Sequence, residues 1–406
     1  MTDKQPEQAP INPEEEENLE AEEENGPEIV IDQGDAGEEE DMFGEEEDIN
    51  VEDQSIKSYF EHKDPVYCTA FAPKKLSNGC IAFASGGGDD TAILFHIKVT
   101  PEGIQDVAKF VLKGHVDSVS CLCFSADGTI LATADVSGLV KTWDTLTGKL
   151  LADCIGPTKE IRWLNFHPSL PACLAGDEDG MAWFWNAKTG KCAKVYVGHS
   201  DVNSCGSFRA DGSEIWTASY DGSLRVWSPR TGQTTAKLEG IQFHQDQITT
   251  GQSSPTGILV ATGDASGVVY VSRFDDVKIL GKIDTGANEI LGIRFSPDCQ
   301  WIGIASFGGT LIICDSNEFK IRHVLEHPDR VICLRWHPTK PYVITGCGDG
   351  SVRIWDIRNA SLIKEFTGNK RDVHALDVQL VDPSKPDLLI LTSSEDKSVR
   401  LFSFVE

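Results

Sequence analysis

The chain has 406 residues, 40% of them hydrophobic and 25% charged, with a formal net charge of −28 at pH 7. That is ample apolar material for a core, yet no apolar run approaches the roughly 20 residues needed to cross a bilayer, and the N-terminus carries no hydrophobic signal segment. The 12 cysteines stand apart, only Cys121 and Cys123 being close, with no C-x-x-C pair and no metal-ligand spacing; the expectation is a reduced, cytoplasmic protein without metal or cofactor.

In chain order, residues 1–53 come first, with 23 Asp or Glu against one basic residue, Lys4. This composition predicts a disordered acidic arm, interrupted by two apolar islands, "PEIVIDQ" (27–33) and "DMFGEEEDINV" (41–51). The remainder, 54–406, carries 41 acidic and 35 basic residues and reads as a folded domain. Its opening stretch, "QSIKSYF" (54–60), alternates like a strand but has no unit of its own. We expect it to pair with the last unit and close the sheet system, leaving no open edge around the ring.

From there a phrase repeats: "YDGSLRVW" (220–227) returns as "GDGSVRIW" (348–355), with looser versions ending at Phe95, Trp143, Trp185 and Phe402. Two further units end at Ser272 and Cys314 without the aromatic, giving spacings of 48, 42, 42, 45, 42, 41 and 47 residues. Within "GHVDSVSCLCFSADGTILATADVSGLVKTWD" (114–144), three apolar runs are separated by turn signals, as in an antiparallel meander. A His opens the unit, a Ser or Thr lies ten residues before the aromatic, and an Asp lies six before it. In the fourth unit these are His199, Thr217, Asp221 and Trp227, and in the seventh His327, Thr345, Asp349 and Trp355. The pattern resembles the WD40 repeat, which implies an all-β, eight-bladed β-propeller with these residues joined in a hydrogen-bond network. Departures are visible: Ser137 replaces the Asp of unit two, Pro157 and Ala175 replace the His and hydroxyl of unit three, and Asn369 opens unit eight.

Catalysis finds no support. His62, His115, His199, His244 and His327 share one structural slot, and His167 and His337 sit in matching "HP" turns. "GGGDD" and "GCGDGS" precede no helix and read as strand-to-strand turns, and there is no G-x-S-x-G or H-E-x-x-H. A non-enzymatic binding protein is expected.

The loops entering the first strand of each unit and those before the third face one rim. On it fall Asp64, Asp117, Glu160, Glu178, Asp201, Asp246, Glu289, Asp372 and Glu395, with Arg162, Arg330 and Lys370 as exceptions. Tyr67, Tyr220 and Phe307 share the same positions and could offer flat apolar contacts. Asp favours such turns in any case, but Glu160, Glu178, Glu289 and Glu395 are not turn formers. Together these residues predict a negative rim for a cationic partner, and they disfavour direct nucleic-acid binding.

The acidic arm with its "EIVI" island, the eight repeats, and "IRWLNFHPSLPACLAGDEDGMAWFW" (161–185) together are similar to the angio-associated migratory cell protein family. The most specific part is carried by Trp163, His167, Pro168, Leu174 to Gly176, Asp179, Gly180, Trp183 and Trp185. The resemblance implies a monomeric chaperone of a basic large-subunit ribosomal protein in ribosome biogenesis, holding the client's basic N-terminal segment on the acidic face. For the animal namesake it implies instead a signalling scaffold in cell migration and small-GTPase pathways.

Overall fold

Every unit contains three apolar runs and a fourth that is half polar, and each run forms a strand. In the second unit these are Val119–Phe124, Ile130–Asp135, Val140–Asp144 and Leu150–Cys154. The computed structural model describes residues 52–286, 288–382 and 387–405; the acidic arm expected over 1–53 lies outside them except for Glu52 and Asp53. Among the described residues the chain is all β, with 32 strands in eight four-stranded antiparallel sheets. This is the eight-bladed propeller that the repeat period predicts.

Burial follows position in the blade. The second strand is buried on both faces, as in Ile81–Gly87, Ala172–Asp177 and Tyr342–Cys347, because a blade is sandwiched between two others. Such strands are uninterrupted apolar or small-residue runs. The outermost strand is largely exposed, as in Gly103–Leu112 and Ser361–Phe366. The innermost strands touch in sequence around the ring, and that of the eighth blade (Val373–Leu380) meets those of both the seventh (Val331–Trp336) and the first (Val66–Phe71). The eighth sheet takes its fourth strand from the start of the fold: Lys57–Tyr59 pairs antiparallel with Val399–Phe404. Nearby, Asp53 bonds Ser55 and Ser58 and pairs with Arg400 at 3.3 Å, while Gln54 N–H donates to Thr367 O.

Two backbone features recur in all eight blades and build the rim. Five residues before the marker position the chain turns left-handed, with φ between 58° and 95° at Asp90, Gly138, Gly180, Gly222, Gly267, Gly309, Gly350 and Lys397. Glycine suits this turn twice over, since a Cβ at Gly350 would lie 2.3 Å from Asn369 O of the next blade. Each innermost strand also bulges between its first and third residues, from Val66/Cys68 round to Val373/Ala375. A bulge inserts one residue and re-aims its side chain, so one residue per blade is turned out of the ladder at the same level.

A candidate peptide-binding face

Inside the blades the expected network forms, with substitutions. In blade 4, His199 Nε2 lies 2.8 Å from Thr217 Oγ1 and its Nδ1 3.2 Å from Asp221, while Trp227 Nε1–H donates to the same Thr217 oxygen at 2.8 Å. In blade 2, where Ser137 occupies the expected Asp position, Asp135 takes the role two residues earlier, 2.9 Å from His115 Nδ1. Asp264 does the same for His244 at 2.6 Å in blade 5. Burial would raise the pKa of Asp135, Asp221 and Asp264, but hydrogen bonds led by the histidine outweigh it and hold all three carboxyls low. Blade 3 has Pro157 in the histidine slot; Asp177 accepts instead from Trp183 Nε1–H at 2.7 Å, and burial prevails, raising its pKa.

Blade 7 departs from the sequence expectation. Asp349 is held by Arg353 at 2.6 Å and does not bond His327, whose Nδ1 faces Leu325 O at 3.1 Å and whose Nε2 accepts from Trp355 Nε1–H at 3.2 Å. Burial lowers the pKa of His327 to about 4. These residues are tied into the blades and support the rim from within. Among the described residues no group of three His, Cys, Asp or Glu could hold a metal ion, and no helix is long and apolar enough to cross a membrane.

The rim is defined by one backbone hydrogen bond repeated in every blade. The residue opening the loop before the third strand donates to a carbonyl in the loop entering the first: Gly88→Pro65, Val136→Ser118, Glu178→Glu160, Tyr220→Val202, Ala265→Gln247, Phe307→Glu289, Gly348→Arg330 and Glu395→Asp372. Glu160, Glu178, Tyr220, Glu289, Phe307, Asp372 and Glu395 are members of these pairs, and Asp64, Asp117, Asp201 and Asp246 directly precede them. Tyr67 is the bulged residue of blade 1. All twelve sequence-predicted residues therefore stand on one face.

Their charges are not equivalent. Arg162 lies 3.2 Å from Glu160 and 3.9 Å from Glu178, Arg330 pairs with Asp372, and Arg371 lies 3.9 Å from Glu395. Three of the four glutamates that sequence singles out are thus compensated. Asp117, Asp201 and Asp246 each accept the next residue's amide with one oxygen, at 2.7, 2.7 and 2.8 Å, which leaves the second oxygen outward. Asp329 does so at 2.6 Å. Capping the turn and charging the rim are compatible roles. Among the described residues no ion pair forms to Asp201, Asp246, Glu289 or Asp329, so blades 4 to 7 present a continuous acidic arc. The compensated pairs lie on blades 3, 7 and 8, Arg330 of blade 7 turning toward Asp372.

The bulged positions, five residues beyond the His slot, form an inner ring: Tyr67, Ser120, Arg162, Ser204, Thr249, Leu291, Ile332 and His374. The hydroxyls of Ser120, Ser204 and Thr249 donate to a carbonyl of the next blade, Ile161 at 3.4 Å, Ile248, and Ile290 at 2.6 Å respectively, and so staple the ring. Leu291 and Ile332 are half-buried beside the arc, Phe307 is 51% exposed with Arg330 5.8 Å from its ring centre, and Tyr67 meets His374 at 5.6 Å between ring centres. Sequence reasoning missed Asp329, Leu291, Ile332 and His374. The fixed offset of five from the His slot would have found the last three.

Comparison with known proteins agrees with the repeat. The WD domain, G-beta repeat family matches residues 107–144, 190–228 and 319–356, and the anaphase-promoting complex subunit 4 WD40 domain matches 252–337. A WD repeat-containing protein of Schizosaccharomyces pombe is 31% identical over 363 residues, 87% of each chain. The human angio-associated migratory cell protein is 28% identical over 365 residues, covering 86% of this chain and 80% of that one. The ribosome assembly protein SQT1 of Saccharomyces cerevisiae is 24% identical over 367 residues, 83% of this chain and 82% of its own. Among solved structures, Chaetomium thermophilum Sqt1 bound to the N-terminus of the ribosomal protein L10 superposes with a TM-score of 0.74 at 24% identity, covering 87% of this chain and all of that one.

Proposed function

Because the chain belongs to the WD-repeat proteins and is homologous to the angio-associated migratory cell protein, we propose that it is a non-enzymatic chaperone that holds the basic N-terminal segment of a large-subunit ribosomal protein during ribosome assembly in the cytoplasm. The observation that carries this reading is the acidic arc of Asp201, Asp246, Glu289 and Asp329, in no ion pair among the described residues and flanked by Tyr220, Phe307, Leu291 and Ile332. Lys and Arg side chains of a client reach the carboxylates with their charged ends, while their alkyl stems lie on the apolar residues. The Chaetomium thermophilum Sqt1 structure is bound to the N-terminus of the ribosomal protein L10, which supports this reading.

The test is a titration of purified protein with a synthetic peptide spanning the basic N-terminus of its own L10-type protein, at about 50 and about 150 mM salt, a range over which screening weakens exposed charge pairs. Binding that weakens with salt and is lost on reversing arc charges is the expected outcome. Undetectable binding at both salts sinks this reading; recovery from cytosol of GTPase regulators in place of a ribosomal protein would favour the scaffold.

A further inference from the structure

The inner strands of blades 3 to 7 line a half-open cavity of about 630 Å³ whose wall includes Arg162, Arg294 and Arg335, with Trp216 and Gln252, and no carboxylate. Arg162 is engaged by glutamates above. Arg335 is engaged by Asp377 at 3.2 Å, whose second oxygen accepts Phe71 N–H at 2.8 Å. Arg294 is different. Its Nη1–H donates to Ile293 O at 2.9 Å, and no carboxylate pairs with it among the described residues. Desolvation, helped by repulsion from Arg335, lowers its pKa to about 9. A desolvated guanidinium with no counter-ion is costly to retain unless something else satisfies it.

The other polar groups around the cavity point to the same need. Trp216 is 1% exposed, and its indole N–H finds no acceptor. Gln252 Oε1 takes Phe295 N–H at 2.7 Å, which turns its NH₂ into the half of the amide left for a ligand. Arg294, Trp216 and Gln252 all offer donors, and they come from three different blades. Trp216 Nε1–H is a buried donor without an acceptor, which costs more than its bond would contribute, and the half-buried Arg294 and Gln252 carry further donors beside it, so the three together describe an acceptor. We propose that this cavity binds a phosphoryl oxyanion, free or carried by a small molecule, on Arg294 with Trp216 and Gln252. A tetrahedral group accepts from several directions at once, as donors on separate blades require, and the guanidinium fork matches its oxygens. This site is separate from the rim and does not depend on its role.

The experiment is thermal unfolding of the full chain against inorganic phosphate at constant ionic strength, with chloride as the balancing salt and ³¹P line broadening as a direct readout. A ligand that binds only the folded state raises the melting temperature with its concentration. The wild type should show a saturable rise of several degrees and Arg294→Met none, while Arg294→Met in phosphate-free buffer should melt no lower than wild type. Trp216→Phe, which deletes the N–H and keeps a ring, should need several-fold more phosphate for the same rise. A parallel arm with ribose 5-phosphate identifies the source: saturation at lower concentration indicates an organic phosphate, and equal concentrations indicate the free ion. A rise that never saturates, or one of equal size in Arg294→Met, overturns the proposal. Should Arg294→Met fail to fold, a Trp216→Phe titration superposing on wild type would overturn it as well. Affinity for the basic peptide on the rim should not change in either variant.

Discussion

Blades 3 and 4 are neighbours with the same four strands, bulge and rim hydrogen bond, yet they differ in both layers that matter. Blade 4 carries the full His199–Thr217–Asp221–Trp227 network inside and unpaired Asp201 outside. Blade 3 has no histidine in that slot, anchors Trp183 on Asp177, and spends its rim glutamates on Arg162. The backbone is common to both, so it is the side chains that separate a blade's stability from its capacity to bind. A repeat can lose its internal network or its surface charge without losing its shape, because neighbouring blades bury its faces.

Four measurements would break or sharpen that contrast. The largest effect is expected inside the blades. Asp221 accepts from His199, from Ser200 N–H and from both N–H and O–H of Ser223, so Asp221→Asn sets an NH₂ against donors and should lose about 3 kcal/mol of stability in urea unfolding. Asp177→Asn keeps an acceptor for Trp183 but turns its NH₂ toward Met181 N–H, and it removes a charge that burial disfavours, so its loss should be smaller, about 1.5 kcal/mol. Equal losses would mean that the two networks are equivalent.

Next comes pH. His327 has no carboxylate at its ring, and its folded pKa of about 4 lies below the ordinary 6.5, so the folded state binds the proton less readily than the unfolded chain. Its contribution is present above pH 6.5 and is lost as pH falls toward 4, by an amount of order 2 kcal/mol. The melting temperature should therefore drop across that window, and less so in His327→Gln. An identical drop in the variant would place the acid sensitivity elsewhere.

On the rim, Asp246→Lys with Glu289→Lys should weaken a basic peptide about 30-fold, roughly 2 kcal/mol, with only the small drop in melting temperature that loss of the Asp246 cap brings. Glu160→Lys with Glu178→Lys should weaken it less, since Arg162 already offsets those charges. The smallest effect has the opposite sign. Arg162→Met releases two glutamates, extends the acidic arc into blade 3, and should tighten the peptide about threefold, or about 0.7 kcal/mol. Weaker binding in this variant would show that Arg162 itself contacts the client.

The sequence by itself determined the architecture, because the signals that set it are local. A turn such as "DVSG" or "YDGS", the apolar runs on either side of it and a His at a fixed offset all act within some forty residues, and eight recurrences leave one way to bury every second strand. It also placed all twelve rim residues on one face, since that follows from strand order alone. Only the tertiary structure decided which of them keep a free charge. Arg330 and Asp372 are 42 residues apart, as are Arg335 and Asp377, and Arg162 reaches Glu178 across a hairpin. Arg294, Trp216 and Gln252 meet around one cavity from three blades. Coulomb energy and desolvation depend on distances of a few ångströms, and such distances between blades exist only once the ring has closed.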